Sequence, residues 1–138
     1  HQSLKNQLNT FRINEEELVI AEFLVGSIDD SGYIRRDLLD LVDDLAFTQN
    51  VFTTEEKVLE LLRNVVQKLD PIGVGARDLK ECLIIQLKNK TAHKIRTLAI
   101  AILETSFDHF VKKHYKKLME KFEISEEELK EVIQEIGS

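Results

Sequence analysis

The chain has 138 residues, a formal net charge of −6, 43% hydrophobic residues and a single cysteine. That length accommodates one domain or two small helical subdomains with a buried core, and one thiol excludes an internal disulfide, which suits a cytoplasmic protein. The acidic balance argues against a module whose main task is gripping nucleic acid, and no apolar run approaches the roughly 18 residues needed to cross a membrane. No signal peptide opens the chain, and the start His1-Gln2-Ser3 lacks a methionine, which fits an excerpt of a longer protein.

In chain order, Ser3 is expected to cap a short helix from Leu4 to about Phe11. Asn14 with Glu17 three residues on has the capping-box pattern and opens a helix through about Ile28. The apolar residues of that helix spread over a broad surface, which implies burial by several neighbours. Asp29-Asp30-Ser31-Gly32-Tyr33 reads as a turn, with Gly32 free to take positive φ. Its resemblance to a calcium loop fails at both ends: Ser27 replaces the first carboxylate, and Leu38 stands where a bidentate Glu is required.

A helix from about Asp37 to Ala46 follows. Thr53 and Glu56 are expected to cap another, whose Val58, Leu61, Leu62, Val65, Val66 and Leu69 keep the helical period up to Asp70. The only proline and two of the five glycines then fall in Asp70-Pro71-Ile72-Gly73-Val74-Gly75. Pro71 pushes Asp70 out of the helical region, while Gly73 and Gly75 permit a sharp turn or a close backbone approach. Asp78 with Glu81 starts the next helix, expected to bury Leu79, Cys82, Leu83 and Leu87. Asn89-Lys90-Thr91 breaks the pattern and sets the expected boundary, giving subdomains 1–90 and 91–138. Ile95 to Leu103 and Phe107 to Phe122 form two further apolar stripes, and Ser125 with Glu128 caps a last helix stopped by Gly137. The fold class is all-α, a helical bundle in two subdomains with about eight helices, the last three in the C-terminal subdomain.

Two segments carry a family resemblance. Asp70-Pro71-Ile72-Gly73-Val74-Gly75-Ala76-Arg77-Asp78-Leu79, continuing through Leu87, and Ile20 to Ile34 (IAEFLVGSIDDSGYI) resemble hallmarks of the core-binding domain of bacterial sigma-54 (RpoN-type) transcription factors. They come in that family's order and at about its spacing. Leu4-Lys5-Asn6-Gln7-Leu8 and Ser125-Glu126-Glu127-Glu128-Leu129 also fit, so the resemblance covers essentially the whole chain. It implies a non-catalytic domain that docks the factor on the β and β′ subunits of core RNA polymerase. Promoter DNA and an ATP-driven AAA+ activator are implied as partners of the full-length factor, and the activator-responsive and promoter-reading regions are expected to lie outside this chain. No membrane and no small-molecule substrate are implied.

Residue by residue, each sharper reading has a plain competitor. Cys82 lies in an apolar run and reads as an inert thiol. His93, His109 and His114 lack metal-ligand spacing; on one helix, His109 and His114 would point about 140° apart. Gly73-Val74-Gly75 lacks the third glycine and the Lys-Ser/Thr of a phosphate loop. Thus no catalytic, cofactor or metal residue is expected. The final helix sets five glutamates against Lys130, a surface that phosphates repel, which disfavours a helix-turn-helix regulator. The lysines at 113, 117 and 121, reinforced by 112 and 116, read as a solvated face in preference to a contact surface. Candidate partner-binding residues are Asp29, Asp30, Tyr33, Ile72, Val74 and Arg77. Gly32, Asp70, Pro71, Gly73, Gly75 and Asp78 are assigned to the turns themselves. Arg77 has two open readings, an internal clasp on a carboxylate such as Asp70, Asp29 or Asp30, or a contact to another protein. Asp29, Asp30, Asp37, Asp40, Asp43 and Asp44 offer an alternative docking face. The competing function class is a helical regulatory or scaffold domain.

Overall fold

A computed structural model describes residues 2–90 and 93–137; His1, Thr91 and Ser138, to which expectations above refer, lie outside them. The described residues form α1 (Gln2–Gln7), α2 (Glu15–Gly26), α3 (Leu38–Gln49), α4 (Glu55–Asn64), α5 (Leu79–Lys88), α6 (Lys94–Val111), α7 (Tyr115–Phe122) and α8 (Glu126–Gly137), with 3-10 turns at Leu8–Thr10 and Val66–Lys68. The fold is all-α. Two compact units divide at Asp78 and Leu79. The expected boundary lay twelve residues later, because a break in helical pattern marks where a helix ends and not which core it joins. In the structure α5 packs on α6, and the Lys90 Nζ donates to the Glu135 carbonyl at 2.8 Å, so residues 79–90 belong with α6 to α8.

In the first unit, Ile20, Ala21, Leu24 and Val25 of α2 are buried against Leu41 and Leu45 of α3 and against Val58, Leu61 and Leu62 of α4. The capping box at the start of α2 is present: Asn14 Oδ1 accepts the Glu17 N–H at 2.8 Å, and Glu17 Oε1 accepts the Asn14 N–H at 3.0 Å. The other Glu17 oxygen takes the Lys57 ammonium at 2.6 Å, tying α2 to α4. That bond is the first cause holding Glu17 below, and Lys57 above, their ordinary ranges.

Several local expectations are corrected. Ser3 lies inside α1, which starts at Gln2. Thr54, not Thr53, caps α4 by accepting the Lys57 N–H at 3.1 Å. The helix drawn through Leu69 stops at Asn64, and Val65 leaves helical geometry at φ −121°, ψ −64°. Two adjacent β-branched valines are stiff at χ1, and the 3-10 turn that follows buries Val66, Gln67 and Leu69 together.

The second unit is centred on Leu87, Ala99, Ile102, Leu103, Leu118, Leu129 and Val132. Leu79, expected inside, is 51% exposed. Long α6 is kinked at Ser106 (φ −142°, ψ 33°), whose buried hydroxyl accepts the Lys121 ammonium of α7 at 2.7 Å. The capping box opening α8 is formed by Ser125 and Glu128 at 3.0 and 3.1 Å. His109 and His114 do not share a helix. Helix α6 ends at Val111, Lys113 takes φ +61°, and the turn between α6 and α7 brings the two imidazoles together with Nδ1 atoms 3.3 Å apart.

Candidate functional site

The two signature segments meet in the first unit as a pair of turns sewn together along their backbones. Asp29 organises the first. Its Oδ1 accepts the N–H groups of Ser31 at 2.9 Å and Tyr33 at 3.0 Å, and its Oδ2 takes Arg35 Nε at 3.1 Å. The Tyr33 N–H is the leading cause that holds the Asp29 carboxyl below its usual range. Gly32 sits at φ +90°, where an L side chain is strained. The Arg35 guanidinium lies 4.6 Å from the centre of the Tyr33 ring, a cation–π distance.

The second turn runs from Asp70 to Arg77, with a cis peptide before Pro71 and Gly73 and Gly75 at φ +99° and +78°. Tyr33 and Ala76 form a parallel bridge: the Gly75 N–H donates to the Gly32 carbonyl at 2.8 Å, and the Ile34 N–H donates to the Ala76 carbonyl at 3.0 Å. Buried Gln67 donates to the Gly75 carbonyl at 3.1 Å, so both polar backbone groups of Gly75 are used. A Cβ on Gly75 would sit 3.0 Å from Val66 Cγ1, so the residue serves the close approach as well as the φ. Arg77 Nη2 closes the arrangement on the Arg36 carbonyl at 2.6 Å.

The structure thus gathers Asp29, Tyr33, Val74 and Arg77 around one bridge. Val74 is buried, Tyr33, Ile72 and Arg77 are half-buried, and Asp30 is exposed. Asp78 lies one residue before α5. Of the acidic set, Asp37, Asp40 and Asp43 are exposed, and Asp44 is paired with Arg36.

Sequence reasoning missed the aromatic residues beside that set. Phe47 is 91% exposed and Phe52 76% exposed, with Leu39 at 55% on the same helix as Phe47. The usable signal was their register: residues 39, 43 and 47 fall on one row, offset from the row of Leu41 and Leu45 that is buried. A cleft of about 670 Å³ lies among α1 to α3, lined by Val19 and Phe23 and rimmed by Lys5, Glu22, Arg36 and Asp44.

Among the described residues no three His, Cys, Asp or Glu side chains are placed to hold a metal ion. Burial, and secondarily the charge of Glu81, pushes the half-buried Cys82 thiol up, away from a reactive thiolate. No helix among the described residues is long and apolar enough to cross a membrane.

Comparison with known proteins gives the family. The family model described as "Sigma-54 factor, core binding domain" matches residues 1–138. The chain is 28% identical over 135 residues to the RNA polymerase sigma-54 factor of Pseudomonas aeruginosa, covering 97% of this chain and 27% of that one. It is 30% identical over 135 residues to the sigma-54 factor of Caulobacter vibrioides, covering 98% and 25%. Over a shorter stretch of 85 residues it is 42% identical to that of Acidithiobacillus ferridurans, covering 62% and 16%. The chain therefore spans about a quarter of the length of its full-length relatives. It belongs to the sigma-54 factor core binding domain family.

Proposed function

We propose that this chain is the part of a bacterial, cytoplasmic sigma-54 factor that docks on core RNA polymerase, contacting its β and β′ subunits, and that it does so as a binding domain without catalysis. The observation that carries this reading is the whole-chain family match, together with signature residues that build one rigid pair of turns. In this reading the turns fix the geometry of the first unit, with Asp30 and Ile72 at their outer edge. Promoter DNA and an AAA+ activator are partners of the intact factor. The glutamates on α8 speak against direct reading of DNA by that helix, since Glu126, Glu127 and Glu131 are exposed.

The test is binding of this chain to purified bacterial core RNA polymerase, with full-length sigma-54 factor as competitor, across a salt series. Saturable binding that the competitor displaces is expected, with a shallower salt dependence than phosphate contacts give. Absence of displaceable binding at micromolar chain overturns the reading. Binding to duplex DNA that collapses steeply with salt would favour a DNA-binding regulator instead.

A further inference from the structure

We infer that the solvent face of α3, the row Leu39, Asp43 and Phe47 with Asp40 beside it, together with exposed Phe52 just after the helix, is the surface that meets core polymerase, and that it fits a basic patch holding an apolar socket. The inference rests on the core-binding reading above and deepens it. Helix geometry places Leu39, Asp43 and Phe47 at i, i+4 and i+8, a row about 12 Å long. Of the five large hydrophobic residues exposed among the described residues, three are Leu39, Phe47 and Phe52. An aromatic ring left 91% in water is a standing cost of burial forgone, and aromatic residues are enriched where interfaces are anchored.

The row is held in position by the opposite side of the same helix. Leu41 and Leu45 are fully buried. Asn50 then caps the helix in the left-handed region, and the Val51 N–H returns to the Leu45 carbonyl at 3.1 Å. Val51 is buried, which leaves its neighbour Phe52 outside. Preorganisation of this kind limits the entropy lost on association.

Charge selects the partner. No Lys or Arg occurs from residue 37 to residue 54. Asp44 is paired with Arg36, so Asp40 and Asp43 give the row its sign. An acidic frame around exposed aromatic side chains repels nucleic acid and complements a basic protein surface. The paired turns are a poorer docking face, because Asp29, Arg77 and the Gly75 backbone already bond within the unit. Exposed Val111 of α6 is a single aliphatic side chain next to Lys112 and Lys113 and offers no comparable patch.

The experiment compares the full chain with Phe47→Ala/Phe52→Ala and with Asp40→Lys/Asp43→Lys in the polymerase competition assay, each variant checked by thermal melting. The aromatic pair should weaken binding about tenfold or more with melting unchanged, as loss of interface anchors does. The charge reversal should slow association and flatten its salt dependence. If the parent chain binds and both variants bind within about twofold of it, this face is overturned while the core-binding reading stands. If the parent chain fails to bind, the core-binding reading itself fails and this inference falls with it. If sedimentation shows a dimer that Phe47→Ala dissociates while polymerase affinity is unchanged, the occupant is a second copy and the inference is overturned.

Discussion

The side-chain amide of Gln7 makes a reciprocal pair of hydrogen bonds with the backbone of Asp70, 63 residues away. Its Nε2 donates to the Asp70 carbonyl and its Oε1 accepts the Asp70 N–H, both at 2.8 Å. The amide thus acts as a surrogate strand partner for the residue at which the second turn begins. Gln7→Ala should lower stability by about 1 kcal/mol, an ordinary net value for partly solvated bonds. Gln7→Glu should do no better, because a second carboxylate oxygen would face the Asp70 carbonyl where a donor is needed. Denaturant unfolding of both variants checks this, and a Glu variant as stable as the parent would refute the pairing.

Gly75 is constrained twice, by φ +78° and by Val66 Cγ1 at 3.0 Å from its virtual Cβ. Gly75→Val should therefore destabilise the first unit by roughly 2–6 kcal/mol, the sum of left-handed strain and overpacking. Gly32 has a similar φ but open space at the same point. Gly32→Ala should then show the strain alone and cost less than Gly75→Ala. Melting curves of the two alanine variants distinguish the steric contribution from the conformational one.

Arg77 donates to the carbonyl of Arg36, two residues before the helix that carries the exposed aromatic row. Arg77→Ala should lower stability by about 1.5–3 kcal/mol, the range for a bond with a charged donor. Polymerase affinity measured on the folded variant should stay within about twofold of the parent, as for positions away from an interface.

Short-range chemistry was legible in the sequence, and long-range placement was not. The capping boxes at Asn14 and Ser125 need only residues three apart, and both are formed. Positive φ at Gly32, Gly73 and Gly75 follows from local turn chemistry. That Gly75 would bond to Gly32, or Gln67 to Gly75, depends on which surfaces pack, and no local pattern encodes it. His109 and His114 show the converse: a helical wheel separates them, but the wheel does not apply once the chain turns at Lys113. Phe47 was overlooked because α3 was expected to end at Ala46, whereas it continues to Gln49 and presents the ring outward.

Acid should loosen both units through a small set of carboxylates. Asp29, Glu17 and Glu128 all titrate below their ordinary values of 3.8, 4.5 and 4.5 in the folded chain. Each therefore adds stability at pH above its unfolded value and loses that contribution as pH falls through its folded value. The acid limb of a stability profile should steepen below about pH 5. Asp29→Asn with Glu17→Gln should lower stability at pH 7 and flatten that limb. A limb of unchanged slope would mean that other groups govern acid unfolding.

The lysines at 113, 117 and 121 do not form one uniform solvated stripe. Lys121 reaches the buried Ser106 hydroxyl at 2.7 Å and lies 5.6 Å from the Phe122 ring, so it bridges the α6 kink to α7. Lys113 and Lys117 are exposed, and Lys113 sits at the positive-φ turn. Lys121→Glu removes the charged donor to Ser106, whose hydroxyl keeps only the Thr105 hydroxyl at 3.3 Å, and should cost about 1.5–3 kcal/mol, the range for a hydrogen bond to a charged group. Lys117→Glu should stay within about 0.5 kcal/mol, as surface changes do. If instead Lys117→Glu weakened polymerase binding while leaving melting unchanged, the lysines of α7 would be a contact surface in their own right, and the acidic row of α3 would not act alone.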